Sequence, residues 1–457
     1  MLPERPHPAA RRSRGNTLTA QRRDADRPDA PSQGGVGLDA HPERAAATSR
    51  GLRSLTTART FESLRDRDFR WFFIATLGLN ATMNMQMLAR GYLVFELTGS
   101  YAALGTMALF LSVVMLGFSL YGGVLADRRS KRLVVQVGQL GAALTSAAVA
   151  VLLFMDQLRY EHLLVAAMAQ GATSGVIFPA LQSMPPEIVG LGRLQNAVSL
   201  NMAGMNTMRL FGPMLAGVML AIIGPEWVYV LMTALFLLSV VLLLRVPKRE
   251  PDPGAASPRG GIEEFREGLA YILRTRTVFL LLALSFVTSL LGMPYIRLLP
   301  GFVADVLNGD AAQLGLMMSV AGIGSLVGVL ALASLESGQR GKLLLLSVAV
   351  TGLGLTAFSA SSNYVLSLAL MVVVGVGESG RQALNNVLLH THVEDAYRGR
   401  MASIFMMQVG TMALGAFAVG LIAEAVGPQL GLGSFSLLLV LTALAIYALV
   451  PRLRDLE

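Results

Sequence analysis

Gly122-Gly123-Val124-Leu125-Ala126-Asp127-Arg128-Arg129-Ser130-Lys131-Arg132 stands between two apolar runs, 102–126 and 133–155. Each run exceeds the roughly 20 residues that an α-helix needs to cross a hydrocarbon core about 30 Å thick. Only a handful of residues separates them, so the stretch reads as a tight hinge between two membrane helices. Gly122 and Gly123 permit close helix approach, and Asp127 ends the first helix on a charge. The basic residues Arg128, Arg129, Lys131 and Arg132 hold the turn on the cytoplasmic side.

Outward from this hinge, apolar runs recur from 71–95 to 432–450, giving about twelve spans. The reading is an all-α membrane protein with two six-helix bundles. A chain of 457 residues with 53% hydrophobic and only 14% charged residues lies outside the soluble globular range. Basic residues cluster in alternate connections: the hinge, Arg193, Lys248-Arg249, Arg340 with Lys342, Arg398 with Arg400, and Arg452 with Arg454, whereas the opposite connections hold Arg159. That asymmetry places both termini in the cytoplasm. It also absorbs the formal net charge of +8, so no nucleic-acid partner is needed.

Five segments follow. Residues 1–68, rich in Arg, Pro, Asp and Ala without apolar period, read as a disordered cytoplasmic tail, because such a composition cannot offset its chain entropy by burial. Residues 69–246 form the first bundle and 277–451 the second. Between them, 247–276 is a Pro/Gly-containing cytoplasmic linker ending in a short surface helix, and 452–457 is a cytoplasmic C-terminus. The bundles repeat: Leu97-Thr98-Gly99-Ser100 through Leu104-Gly105 aligns with Leu307-Asn308-Gly309-Asp310 through Leu314-Gly315, an offset of 315 − 105 = 210. In the second half, Ser337 falls at the position of Asp127.

The absence of cysteine rules out disulfides, thiolate metal sites and Cys nucleophiles, and His7, His41, His162, His390 and His392 show no metal-ligand spacing. No GxxxxGK[ST] sequence is present, so ATP is not the direct energy source. The chain reads as neither an enzyme nor a cofactor protein.

Function then rests on polar residues within spans, where an ionisable side chain costs about 2.5–3.5 kcal/mol on insertion scales. Asn80, Asn84, Gln86 and Arg90 lie in the first span, Asn201, Asn206 and Arg209 in the fifth, and Arg297 in the seventh, at 277–299. The tenth span, 364–389, holds Glu378, Arg381, Gln382, Asn385 and Asn386. Glu378 is the carboxylate near mid-span and the candidate proton carrier: burial favours its neutral form, and Arg381 one turn on favours the charged form. A static Glu378–Arg381 ion pair is the alternative. Candidate substrate-binding residues are Asn80, Asn84, Arg90, Asn206, Arg209, Arg297, Arg381 and Gln382. Four intramembrane arginines against one glutamate make the cavity net positive, which suits acidic oxygens. Arg90 and Arg297 lie near the outer ends of their runs, where snorkelling is the competing reading. Met83, Met85 and Met87 suggest an adaptable wall, or lipid-facing filler.

The hinge resembles the signature loop G-x-x-x-D-R-x-G-R-R of the major facilitator superfamily, read here as Gly123-Val-Leu-Ala-Asp127-Arg128-Arg129-Ser130-Lys131-Arg132, with Ser130 replacing Gly. Phe95-Glu96-Leu97-Thr98-Gly99-Ser100 and Phe265-Arg266-Glu267-Gly268-Leu269-Ala270-Tyr271-Ile272 resemble the branch containing enterobactin exporters and macrolide efflux proteins. Arg209-Leu-Phe-Gly212-Pro213-Met-Leu-Ala216-Gly217 is similar to the G-P-x-x-G-G pattern of superfamily exporters, with Ala216 replacing a Gly. The resemblance implies a secondary transporter of the bacterial inner membrane, monomeric, exporting a small amphipathic molecule, siderophore-like or drug-like, by proton antiport. It implies a gate formed by Gly123, Asp127, Arg128, Lys131 and Arg132 with Arg400 near the start of span eleven; on physical grounds Pro213 kinks its helix, and Gly212 and Gly217 let it lie against a neighbour in a packing seam. Branch members often carry an acid near Met83, absent here. An importer or lipid flippase of the same fold, or a non-transporting membrane scaffold, remains open on these residues.

Overall fold

The computed structural model describes residues 62–248, 261–334, 338–394 and 397–456. Most of the expected tail, the middle of the linker and Ser337 lie outside them, as do the side chains of Asp127 and Arg400. Among the described residues there is no strand. Six long helices precede the linker: α1 (Arg67–Thr98), α2 (Tyr101–Arg128), α3 (Lys131–Phe154), α4 (Tyr160–Val189), α5 (Leu194–Ile223) and α6 (Pro225–Leu243). After it come α7 (Gly261–Arg274), α8 (Arg276–Leu291), α9 (Tyr295–Asp305), α10 (Ala311–Ala333), α11 (Arg340–Ala360), α12 (Tyr364–His392), α13 (Arg398–Val426), α14 (Pro428–Leu449) and the short α15 (Pro451–Arg454).

Eleven described helices, α8 and α9 counted as one, are long and apolar enough to cross a membrane. The 32-residue α1 packs among them against α5 and α6 and completes the two bundles. Its mid-helix Asn80, Asn84 and Gln86 dilute its apolar character.

Span seven departs from the uninterrupted run expected at 277–299. It breaks at Gly292-Met293-Pro294, because Pro294 lacks the N–H that would continue the ladder of α8. The polypeptide restarts as α9, which re-aims Tyr295 and Arg297. The surface helix occupies Gly261–Arg274, and Tyr271 stacks on Tyr397 at 4.0 Å between ring centroids. The C-terminus is tied down: Leu453 is buried, and the Gly341 N–H donates to the Leu456 carbonyl at 2.9 Å.

The repeat reappears as matched helix caps. The Ser100 hydroxyl accepts from the Ala103 N–H at 3.1 Å to start α2, and the Asp310 carboxylate accepts from the Gln313 N–H at 2.8 Å to start α10. Such caps satisfy N–H groups that the helix itself leaves unpaired. Gly224 and Gly427, with φ of 94° and 95°, make equivalent turns into Pro225 and Pro428. A side chain would be strained in that left-handed backbone.

Core packing divides the molecule along its length. At the end bearing Gly99, Gly224 and Glu424, a single apolar cluster draws on both halves, from Leu93, Tyr101, Leu163 and Tyr229 to Leu299, Phe302, Leu314 and Phe358. Toward the end bearing Ser130, each half has its own core. Phe69, Val135, Met184, Phe236 and Leu243 pack in the first, and Leu281, Val348, Leu388 and Leu439 in the second. The halves are thus joined at the Glu424 end and separately packed toward the Ser130 end.

Two pseudo-equivalent seams make the joint. On one, a side chain at Gly315 of α10 would collide with the Pro213 carbonyl and Gly217 Cα of α5, at 2.6 and 3.1 Å. On the other, Gly105 of α2 meets the Ala416 carbonyl and Phe417 Cα of α13, at 2.6 and 2.8 Å from where its Cβ would lie. Absence of side chains lets the backbones touch, so dispersion contacts replace lipid. Gly105 and Gly315 are the residues that the 210-residue offset aligns.

Candidate functional site

Where the seams stop, the helices leave a pocket of about 470 Å³, its open mouth included. Asn84 and Met87 of α1, Arg209 and Pro213 of α5, Tyr295 of α9 and Glu378 of α12 are among its lining residues. Met318 and Met371 supply further adaptable apolar surface, so this wall draws on methionines from both halves. Of the three first-span methionines, Met87 lines the pocket, Met85 is fully buried in the shared core, and Met83 packs on the first-half core.

Glu378 lies midway along α12, at 378 − 364 = 392 − 378 = 14 residues from each end. Its carboxylate receives two hydrogen bonds from Arg381: Nε to Oε2 at 2.9 Å and Nη2 to Oε1 at 2.5 Å. Arg381 Nη1 donates to the Thr288 hydroxyl of α8 at 3.1 Å. The i, i+3 spacing stacks both side chains on one helix face. Both residues are buried, at 4% and 7% exposure. Glu378 faces the pocket and Arg381 stands behind it. Tyr295 lies within electrostatic range of both Glu378 and Arg209.

A second pocket, about 410 Å³ with its open mouth included, adjoins the first through the shared Met87 and Ile296. Arg90 of α1 and Arg297 of α9 both line it. Snorkelling is excluded for Arg90, which is 6% exposed and surrounded by the helices rather than lipid.

The other expected substrate residues are not among those lining either pocket. Asn80 bonds its own helix, donating to the Thr76 carbonyl at 2.8 Å, while Asn206 and Gln382 are exposed. Asn84 also donates to a carbonyl one turn back, Asn80 O, at 2.8 Å. The sequence reading missed Tyr295, Thr288 and Ser325. Tyr295 had a signal in Gly292-Met293-Pro294-Tyr295, where a helix break exposes the following side chains.

At the hinge, α2 and α3 are joined by Arg129 and Ser130 alone, both with negative φ, so this turn needs no glycine at 130. Lys131 pairs with Glu187 of α4, and Arg132 Nη1 donates to the Val246 carbonyl at 2.6 Å, tying α3 to the ends of α4 and α6. Gly122 packs on the Gly175 carbonyl. Gly123, contrary to the expectation of close approach, has open space around its Cα. Gly212 lies against Asn84 and the Ala81 carbonyl of α1, so the 212–217 segment serves two neighbours, α1 and α10.

The sequence profile of the transmembrane secretion effector family matches residues 58–457, a range that includes every described residue. This chain belongs to that family, within the major facilitator superfamily. Similar proteins include the staphyloferrin A transporter of Staphylococcus aureus (strain NCTC 8325 / PS 47). It is 24% identical over 321 residues, covering 69% of this chain and 79% of the relative. The enterobactin exporter EntS of Escherichia coli O1:K1 / APEC is 27% identical over 321 residues, 68% of this chain and 75% of its own. Among solved structures, the nucleoside transporter NupG superposes with a TM-score of 0.67 at 15% identity, covering 84% of this chain and 98% of that one. A POT family transporter in complex with 5-aminolevulinic acid gives 0.67 at 12% identity, covering 85% and 97%. These likenesses establish the fold. The protein is an integral membrane secondary transporter of a small molecule, not an enzyme.

Proposed function

We propose that this chain exports a small amphipathic molecule bearing acidic oxygens, of the siderophore or drug type, from the bacterial cytoplasm in exchange for protons. The observation that carries the reading is Glu378, a carboxylate that lines the central pocket while clamped by Arg381. Antiport requires proton and cargo to compete. A cargo hydroxyl that donates to the Glu378 carboxylate competes, since protonation turns that charged acceptor into a weaker neutral one, while Arg209 holds the acidic end of the same molecule. The names of the siderophore transporters above support this cargo class.

The positive residues of the hinge support a cytoplasmic Ser130 end, with both termini on the same side. The joined Glu424 end then faces outward, and the pocket takes cargo from inside. Rocking of the bundles about the pocket would expose it alternately.

The excess of arginine over carboxylate supports a second reading. Protonated Glu378 leaves Arg381 uncompensated, which favours joint binding of a proton and an anion, and hence symport. Purified protein in liposomes with an imposed proton gradient separates the two. Under antiport, a catecholate or hydroxamate siderophore moves against the proton flux, and Glu378→Gln loses the gradient dependence. Movement with the protons establishes symport, and unchanged coupling in Glu378→Gln removes this residue from the proton path.

A further inference from the structure

Arg90 and Arg297 share a pocket with no carboxylate in its lining. Arg90 is buried, and its Nε and Nη2 have no hydrogen-bond partner; Arg297 Nε is likewise buried and unpartnered. The Tyr229 hydroxyl lies beside Arg90 as a neutral neighbour and supplies no counter-charge. The two guanidinium groups lie within electrostatic range of each other. Guanidinium stays charged in proteins, and a buried charge without a counter-charge is strongly unfavourable. Two of them together add like-charge repulsion. By contrast, the buried Arg381 has both a carboxylate and the Thr288 hydroxyl as partners.

The partners come from opposite halves, Arg90 from α1 and Arg297 from α9, at the end where the halves are joined. We infer that Arg90 and Arg297 form an oxyanion site that takes a cargo group with two or more acidic oxygens and bridges the bundles. The planar forks of the two arginines suit bidentate contact, and apolar walls such as Met107 and Leu111 exclude competing water. The anion cancels the repulsion across the seam, so its binding favours the joined Glu424 end. Opening that end draws the arginines apart, breaks the bridge and weakens the hold on the anion. The inference rests on the transport reading and adds the position and valence of the anion subsite.

The native chain has no cysteine, so introduced thiols are unique. Citrate and acetate serve as probes in detergent at constant ionic strength made up with chloride, without any gradient. Binding is read by thermal shift, and the seam by spin labels on Leu97→Cys and Leu430→Cys, both exposed positions at the joined end. Citrate should bind at least tenfold more tightly than acetate and shift the label distances toward the shorter population. Arg90→Gln and Arg297→Gln should each weaken citrate at least tenfold, and the double Lys variant, which keeps charge but loses the fork, should weaken it severalfold. Citrate affinity unchanged in both Gln variants, a chloride response equal to that of citrate, or label distances indifferent to citrate would overturn the inference. None of these outcomes touches the gradient-driven transport result, which tests the transport reading separately.

Discussion

Glu424, close to the end of α13, accepts the backbone N–H of Tyr101 at 2.8 Å and so caps α2 from the other half of the molecule. The same Oε2 accepts from the Ser100 hydroxyl at 3.1 Å and the Ala102 N–H at 3.3 Å. A negative charge at a helix N-terminus is favourable both as acceptor and against the helix dipole. Tyr101 adds a second tie, its hydroxyl donating to Asp305 Oδ2 of α9 at 3.2 Å. These bonds add to the shared apolar cluster in holding the joined end shut.

Glu424→Ala should therefore loosen that end without unfolding either bundle. Loss of a cap costs about 0.5–2 kcal/mol, or roughly a 2- to 30-fold rise in opening. Hydrogen exchange at amides 101–105 measures it, and unchanged exchange would show that the apolar cluster alone closes the seam.

Gly315→Ala places a methyl against the Pro213 carbonyl, where neither backbone can yield. Overpacking of this kind costs about 1–3 kcal/mol, so thermal stability in detergent and transport should both fall. Gly117→Ala, with nothing within 4 Å, is the matched control and should leave stability intact. Equal effects would mean that helix propensity, not the seam, is being measured.

The two hinge glycines should behave differently. Gly122→Ala meets the Gly175 carbonyl and should lower stability, whereas Gly123→Ala enters open space and should not. Transport lost in Gly123→Ala at normal stability would show that Gly123 is packed closely only in another conformation of the cycle. Normal transport in that variant would remove it from the gate.

Glu378→Gln strands a buried guanidinium, and breaking one side of a buried pair costs about 3–5 kcal/mol. Adding Arg381→Met should recover much of the thermal stability while proton coupling remains lost. If coupling returned together with stability, the pair would be structural and the proton would travel elsewhere.

Lys131–Glu187 is a contrasting ion pair, with side chains 22% and 37% exposed. Such pairs contribute about 0–1 kcal/mol. Glu187→Gln should leave the melting temperature nearly unchanged, and a large drop would reveal a tighter coupling of α3 to α4 than the exposure indicates.

Much of this architecture was legible because hydrocarbon leaves few choices. A backbone that cannot bond to water must form helices or a closed barrel, and an apolar run as long as Leu133 to Phe154 fits only a helix. The repeat that aligns Ser100 with Asp310 and Gly105 with Gly315, and a mid-span Glu378 beside Arg381, were legible, whereas the capping bonds and the close backbone approach at those glycines came from the structure. The break at Pro294 was within reach of the same rules, yet the apolar run around it masked the interruption.

Composition and period along the chain determined an all-helical, twofold repeated membrane body, because burial in lipid acts on each segment separately. Only the tertiary structure decided which polar residues line one pocket together: Glu378 with Arg209 and Tyr295, and Arg90 with Arg297. That outcome depends on the rotation of each helix about its axis and on α9 restarting after Pro294, which are set by packing between helices distant in sequence. A one-dimensional pattern carries no record of those contacts.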